Sequence, residues 1–395
     1  MRPLTLVEFE QHIVATNKLA DRRDQWLQVA LFGLMGEAGG VLSALKKEER
    51  EPGAQENSMA ILAEELGDTL WYWGSLCLFS GVSPATVAEH VCRDSSNKTV
   101  PAENESAINL AHVESAVRLL ELERNWTLSD ALLRLGQAVG ALFQEQSLLE
   151  NAKNPDHLPL LQIEKLLAAI LKAIAAVSIR IPVHLSVVAA RNIEKTLARW
   201  PTEMIHVGLF DEGMPAYEQL PRDITFDFHE VGDGERGQLL LQSSKLNIGD
   251  RLTDNSADPD FYRYHDVFHM AYAVHLGWSP VLRGLLRVKR KSDSRTDENE
   301  DGARAMLIEE GITTWIFNYA ARRDYFVDKD SIDFSILKTV KQMVRGYEVD
   351  ICPFWQWEQA ILDGYRVFNL LKNNGGGAVR LNLVARSLEY VGGTQ

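Results

Sequence analysis

From Met59 to Cys77 the apolar residues Met59, Leu62, Leu66, Leu70, Trp73 and Cys77 recur every three or four positions. That spacing predicts a helix with one buried face. Glu65, Asp68 and Tyr72 line another face of the same helix. The run before it, Gly33-Leu-Met-Gly-Glu37-Ala-Gly-Gly40, also reads as helix, and an antiparallel hairpin of the two would bring Glu37 opposite Glu65 and Asp68. Trp200-Pro201 closes this helical half, because proline lacks a donor and biases the residue before it out of helix. Beyond Pro215 and Pro221, Thr225-Phe-Asp-Phe-His-Glu-Val231 alternates apolar and polar residues, and Gly237-Gln-Leu-Leu-Leu-Gln242 follows a Gly-Asp-Gly turn. The two runs predict a small β-hairpin. From about Phe261 helices resume, as in the periodic set Leu307, Ile308, Ile312, Trp315, Ile316 and Tyr319, and Gly375-Gly-Gly-Ala reads as a flexible break before a last short segment. The expected fold is mainly α.

The first half repeats itself. A shift of 100 residues aligns Gly36-Glu37-Ala38-Gly39-Gly40 with Gly136-Gln137-Ala138-Val139-Gly140, and Glu64-Glu65-Leu66-Gly67-Asp68 with Glu164-Lys165-Leu166-Leu167-Ala168. The apolar scaffold persists while Gln137, Lys165 and Ala168 replace the acids, so the second copy reads as a degenerate unit. Two such hairpins packed as a symmetric pair and fused in tandem turn a dimer interface into an internal one, giving one competent site per pseudo-dimer. Further homodimerisation stays open.

At 395 residues and 44.4 kDa the chain has room for two or three domains with substantial cores. A net charge of −14 argues against broad binding to nucleic acid or an acidic membrane. Its three cysteines, Cys77, Cys92 and Cys352, form no Cys-x-x-Cys pair, which argues against a disulfide framework or a cysteine zinc site. The N-terminus breaks its apolar residues with charge and no stretch suggests a membrane span, so a soluble cytoplasmic protein is expected.

Unpaired carboxylates gathered on facing helices repel one another, and a hard cation with oxygen ligands relieves that repulsion. The pair Gly-Glu37-Ala-Gly-Gly and Glu65-Leu-Gly-Asp68 resembles the MazG-type all-α nucleoside triphosphate pyrophosphohydrolases, whose signature is Glu-x-x-Glu on one helix and Glu-x-x-Asp on the next. The resemblance implies a tandem MazG-like helical bundle followed by a mostly helical C-terminal domain with the small hairpin. It implies hydrolysis of a nucleoside triphosphate to the monophosphate and pyrophosphate, with Mg²⁺, or Mn²⁺ in its place, held by Glu37, Glu65 and Asp68. The fourth acidic position is Gly40, for which Glu64 or a water would substitute. Glu37 or Glu64 would orient the attacking water. Tyr72 and the Asn97-Lys98 pair match positions used near the base and phosphates, and Asn192-Ile-Glu-Lys195-Thr-Leu-Ala-Arg199 resembles the phosphate-contacting end of such a domain, which assigns Lys195 and Arg199 a clamping role. The expected division is 1–100 for the catalytic unit, 101–201 for the degenerate unit, 202–250 for a connector with the hairpin, and 251–395 for the helical C-terminal domain.

The C-terminal half holds a second constellation. Tyr262-Arg-Tyr-His265-Asp266-Val-Phe-His269 puts two histidines at i and i+4 with an acid between them, which a helix would turn to one face. Glu309 and Glu310, expected at the start of a later helix, would complete the site. Arg283, Arg287 and Arg290 read as a helical stripe able to hold phosphates. The segment Arg263–Glu310 resembles an uncharacterised region that follows MazG-type domains in bacterial proteins. Two alternatives accompany the pyrophosphohydrolase reading: a nucleotide-sensing pseudoenzyme with a C-terminal effector, and a metal-dependent hydrolase centred on His265, Asp266 and His269.

Overall fold

A computed structural model describes residues 4–53, 58–95, 108–122, 126–151, 160–181, 183–232 and 237–393. The chain divides into two units, Met1–Thr202 and Glu203–Gln395. Among the described residues the first unit carries α1 (Leu6–Thr16), α2 (Arg23–Arg50), α3 (Ser58–Phe79), α4 (Pro84–Ser95), α5 (Leu110–Leu122), α6 (Leu128–Gln144), the short α7 (Gln146–Asn151), α8 (Leu160–Arg180) and α9 (Leu185–Arg199). Thr5 and Glu8 start α1 by reciprocal side chain to backbone hydrogen bonds, and Thr127 and Asp130 do the same for α6.

The helices come in a recurring order, α5, α6, α8 and α9 following α1 to α4. Their packing is reciprocal: α3 lies on α9 while α8 lies on α4, and α2 meets α6. At the outset of the two series, Leu6 N–H donates to the Ile108 carbonyl at 3.2 Å, and Thr5 and Asn109 form an antiparallel bridge. The periodic face of α3 is the centre of this core. Leu62, Leu66, Leu70, Trp73 and Cys77 are fully buried, while Met59 at its start is only partly covered. Trp73 also donates its indole N–H to the Leu167 carbonyl of α8 at 2.9 Å, tying the two series together. One helix departs from the expectation that no stretch suggests a membrane span. By length and composition α2 is apolar enough to cross a bilayer, yet it packs along α3 and α6 with Leu34, Ala38 and Val41 in the core.

In the second unit, β1 (Asp223–Val231), β2 (Gln238–Ser243) and β3 (Leu246–Asn247) precede α10 (Asp266–Leu276), α11 (Pro280–Leu286), α12 (Ser294–Asn299), α13 (Ala303–Ala321), α14 (Phe334–Met343) and α15 (Phe354–Asn374), and β4 (Gly376–Asn382) and β5 (Ser387–Gly392) end the chain. The expected hairpin is the β1/β2 pair, with Phe226 and Phe228 of β1 inward. It belongs to a five-stranded antiparallel sheet in the order β3-β2-β1-β4-β5, so residues 223–247 share one sheet with the C-terminal strands. The Gly375-Gly-Gly-Ala segment is not a break. Gly375 caps α15 with φ +66°, and Gly376 and Gly377, both at positive φ, open β4 directly against β1. A Cβ at Gly376 would lie 2.3 Å from the Phe228 carbonyl oxygen, so the close strand approach requires glycine there. On α13 the buried face is Ala305, Glu309, Ile312, Thr313, Ile316 and Phe317; Leu307, expected on it, is 70% exposed. The fold is mainly α, as expected from the helical periodicities.

Replacing Trp73 by alanine should cost about 3–5 kcal/mol, the range for emptying a buried aromatic site, and more than Trp73→Phe, which keeps a ring but leaves the Leu167 carbonyl without its donor. Urea unfolding of both variants checks this order.

Candidate functional site

The apolar seam between α2 and α3 determines where their polar residues point. With Leu34, Ala38 and Val41 of α2 and Leu62, Leu66 and Leu70 of α3 in the core, Glu37, Glu64, Glu65 and Asp68 are turned to a half-buried flank. Glu37 sits beside Glu65 and Asp68, whose carboxylates act on it. Asp68 accepts one from Asn192 Nδ2 at 2.6 Å, and both of its oxygens accept from Lys195 Nζ. Lys195 Nζ also lies 3.4 Å from Glu64 Oε1. The structure therefore gathers Glu37, Glu64, Glu65 and Asp68 with Lys195, a residue more than a hundred positions away in the chain.

Electrostatics mark the cluster as short of positive charge. Burial first, then the hydrogen bond to Glu65 and the charges of Asp68 and Glu65, push the Glu37 carboxyl up to about 8, with Lys195 opposing. Burial raises Asp68 as well, against the pull of Lys195. Tyr72 is raised by burial and by the charges of Glu37 and Asp68, which places its phenol beside the acids. Lys195 is the cation the cluster holds, and carboxylate oxygens are the donors that Mg²⁺ or Mn²⁺ prefers.

Glycines let the helices close on this flank. A Cβ at Gly33 would clash with the Tyr72 ring, 2.2 Å from its nearest atom, and one at Gly40 would lie 2.2 Å from Glu65 Oε2. The place of a fourth acid is thus filled by the Glu65 carboxylate itself. Between α3 and α9 a groove of about 270 Å³ is lined by Glu64, Arg191, Asn192 and Lys195 among apolar neighbours. Asn192 was not among the expected ligand-contacting residues; its place one turn before Lys195 on α9 is the signal that both reach Asp68. Arg199, one turn after Lys195, sets its guanidinium 4.9 Å from the Trp200 ring. Asn97 and Lys98 lie outside the described residues. In the second series Gln137 and Lys165 are exposed and Ala168 is buried, and Glu164 pairs with His90 of α4 at 3.5 Å.

The second unit brings its own expected residues together. His265, at the N-terminus of α10, and Asp266 and His269 within it offer ligand atoms within 4.8 Å of one another. Glu309 and Glu310 both reach His269, at 2.8 and 3.5 Å, though from the middle of α13 rather than its start. The arginine stripe does not exist. The helix α11 ends at Leu286, Arg287 is left-handed with φ +59°, and Arg283 and Arg290 are buried in ion pairs with Asp211, Asp301 and Glu348. Those pairings leave Arg283 and Arg290 no reach to phosphates.

Residues 205–394 match the family model of the MazG C-terminal domain. The match supports membership of the MazG family and a nucleotide-related function. No curated protein and no solved structure matches the chain.

Because the folded chain holds the Glu37 proton more tightly than an unfolded carboxyl does, its stabilising effect is complete below the ordinary carboxyl range and is lost as pH rises towards the folded value of about 8. In metal-free buffer the thermal unfolding midpoint should fall between about pH 5 and about pH 8.5, and Glu37→Gln should flatten that slope. An unchanged slope in the variant would refute the raised Glu37 carboxyl.

Proposed function

With the MazG-family match of the second unit as premise, we propose that the first unit hydrolyses a nucleoside triphosphate to the monophosphate and pyrophosphate. One observation carries the reading: α2 and α3 converge Glu37, Glu65 and Asp68 on a flank where burial makes three negative charges costly, beside a groove that holds Lys195. Glu37, Glu65 and Asp68 would hold Mg²⁺, with Mn²⁺ as the alternative. Bound there, the cation supplies neutralisation of the triphosphate charge and a more acidic water.

The side chains divide the remaining work. Lys195 exchanges its carboxylate partner for phosphate oxygens, a short movement for a four-carbon stem. Arg191, on the same groove, adds a second cation to the polyphosphate. Glu64 faces that groove and is positioned to orient the attacking water and accept its proton. Tyr72, packed over Gly33 and edge-on to Trp71 beside the acids, would contact the base. Gln137, Lys165 and Ala168 give the second series no matching carboxyl set, which supports one active site in a tandem pair whose second half contributes α9. Protein of the cytoplasmic nucleotide pool is the setting this reading implies.

The test is pyrophosphate release from canonical, deoxy and modified nucleoside triphosphates with Mg²⁺ or Mn²⁺. Turnover should fall by about 100-fold or more in Glu65→Ala and in Asp68→Ala, as when one transition-state electrostatic contact is removed. Equal turnover in wild type and both variants would overturn the assignment. Tight triphosphate binding without release would favour the nucleotide-sensing alternative instead.

A further inference from the structure

The second unit contains a buried histidine whose chemistry is incomplete. His269 has no exposed surface, its Nδ1 is 2.8 Å from Glu309 Oε1, and its Nε2 makes no hydrogen bond. Glu309 is wholly buried as well and accepts from Ser279 Oγ at 2.6 Å and from the Val281 N–H at 2.8 Å. A carboxylate that accepts from that many donors is the ionised form, so His269 is the donor through Nδ1 and its Nε2 faces outward from that contact. A carboxylate on the far nitrogen is the arrangement that orients metal-ligating histidines and raises their basicity. An unsatisfied polar atom in the interior is costly unless something binds it.

Three further groups meet that nitrogen. His265 Nδ1 lies 2.9 Å from the Tyr262 carbonyl, which only accepts, so His265 donates there and turns its Nε2 toward the same place. The Tyr262 ring stacks on it with centroids 4.4 Å apart and planes within 2°, holding the imidazole in place. Asp266 Oδ1 is 3.6 Å from His265 Nε2, and Glu310 Oε1 is 3.5 Å from His269 Nε2. Metal bonds of about 2.1 Å in a tetrahedral site separate neighbouring ligand atoms by about 3.4 Å; His265, Asp266 and His269 offer atoms within 4.8 Å of one another, so they close on one ion by a short contraction, with Glu310, close to His269, drawn in as the fourth ligand. Glu310, 40% exposed, forms the open side.

We propose that His265, His269, Asp266 and Glu310 bind one first-row transition-metal dication, Zn²⁺, Mn²⁺ or Fe²⁺, with Glu309 as the positioning residue behind His269. Two imidazoles select this class over Mg²⁺, which prefers oxygen donors throughout. The centre is separate from the carboxylate cluster of the first unit in both ligand chemistry and chain position.

The full chain, purified without added metal, is analysed for bound metals by mass spectrometry and then titrated with Zn²⁺, Mn²⁺ and Fe²⁺ after chelation. The expected result is one tightly held ion per chain. In His265→Ala and Glu310→Gln the affinity for Zn²⁺ should drop by at least about 10-fold. Glu310 is the partly exposed member of the set, and circular dichroism checks that both variants fold. If the wild-type chain neither retains nor takes up a transition metal, or if both variants bind as tightly as wild type, the proposal is overturned and His269 is an imidazolium held between Glu309 and Glu310.

Discussion

Burial of the apolar face of α3 is the constraint on which the first unit depends. Once Leu62, Leu66, Leu70 and Trp73 are committed to the core, the helical period leaves Glu65, Asp68 and Tyr72 on the flank that meets α2 and α9. The acids are not placed one by one. They are carried to their positions by residues that never touch a ligand, and the energetic cost of crowding them is met by the same burial that stabilises the helices. The reciprocal packing of α3 on α9 and α8 on α4 then sets Lys195 against Asp68.

The second unit uses a related device with different chemistry. Its carboxylates and imidazoles lie between α10 and α13, and the aromatic cluster of Phe268, Phe317, Tyr365 and Phe368 makes the surroundings rigid. Gly364 lets α15 approach α10 closely, since a Cβ there would lie 3.1 Å from the Ala271 Cβ. The sheet contributes from the other end of the sequence: β1, which leads into this region, pairs with β4 at the chain's end. The polar site is thus embedded in a frame closed by strands far apart in sequence.

Local periodicity made much of this legible. The buried face of α3, the acidic flank, the β1/β2 pair and the i, i+4 histidines all follow from spacing within about 20 residues, the range over which helical and strand patterns act. What escapes such reading depends on distant partners. The spacing of Arg283 and Arg290 suggests a phosphate-holding stripe, but their carboxylates come from Asp211 and Glu348, 72 and 58 residues away. The glycines at 375–377 have the composition of a break, and only the approach of β1 turns them into a strand start. Lys195 stands out in the sequence only by its resemblance to the end of a MazG-type domain, and its contact with Asp68, like that of Asn192, comes into view only once α9 lies on α3.

Gly33 and Gly40 stand seven residues apart on α2, and the side chains they receive, Tyr72 and Glu65, stand seven apart on α3. Two turns of one helix therefore offer a pair of notches to two turns of the other, a ratchet that fixes the sliding position of the hairpin as well as its closeness. The two notches are not equally strict: a side chain at 40 would meet only the mobile carboxylate end of Glu65, which can swing aside, whereas one at 33 would meet the Tyr72 ring, so the hairpin's register is fixed at the ring and adjustable at the acid.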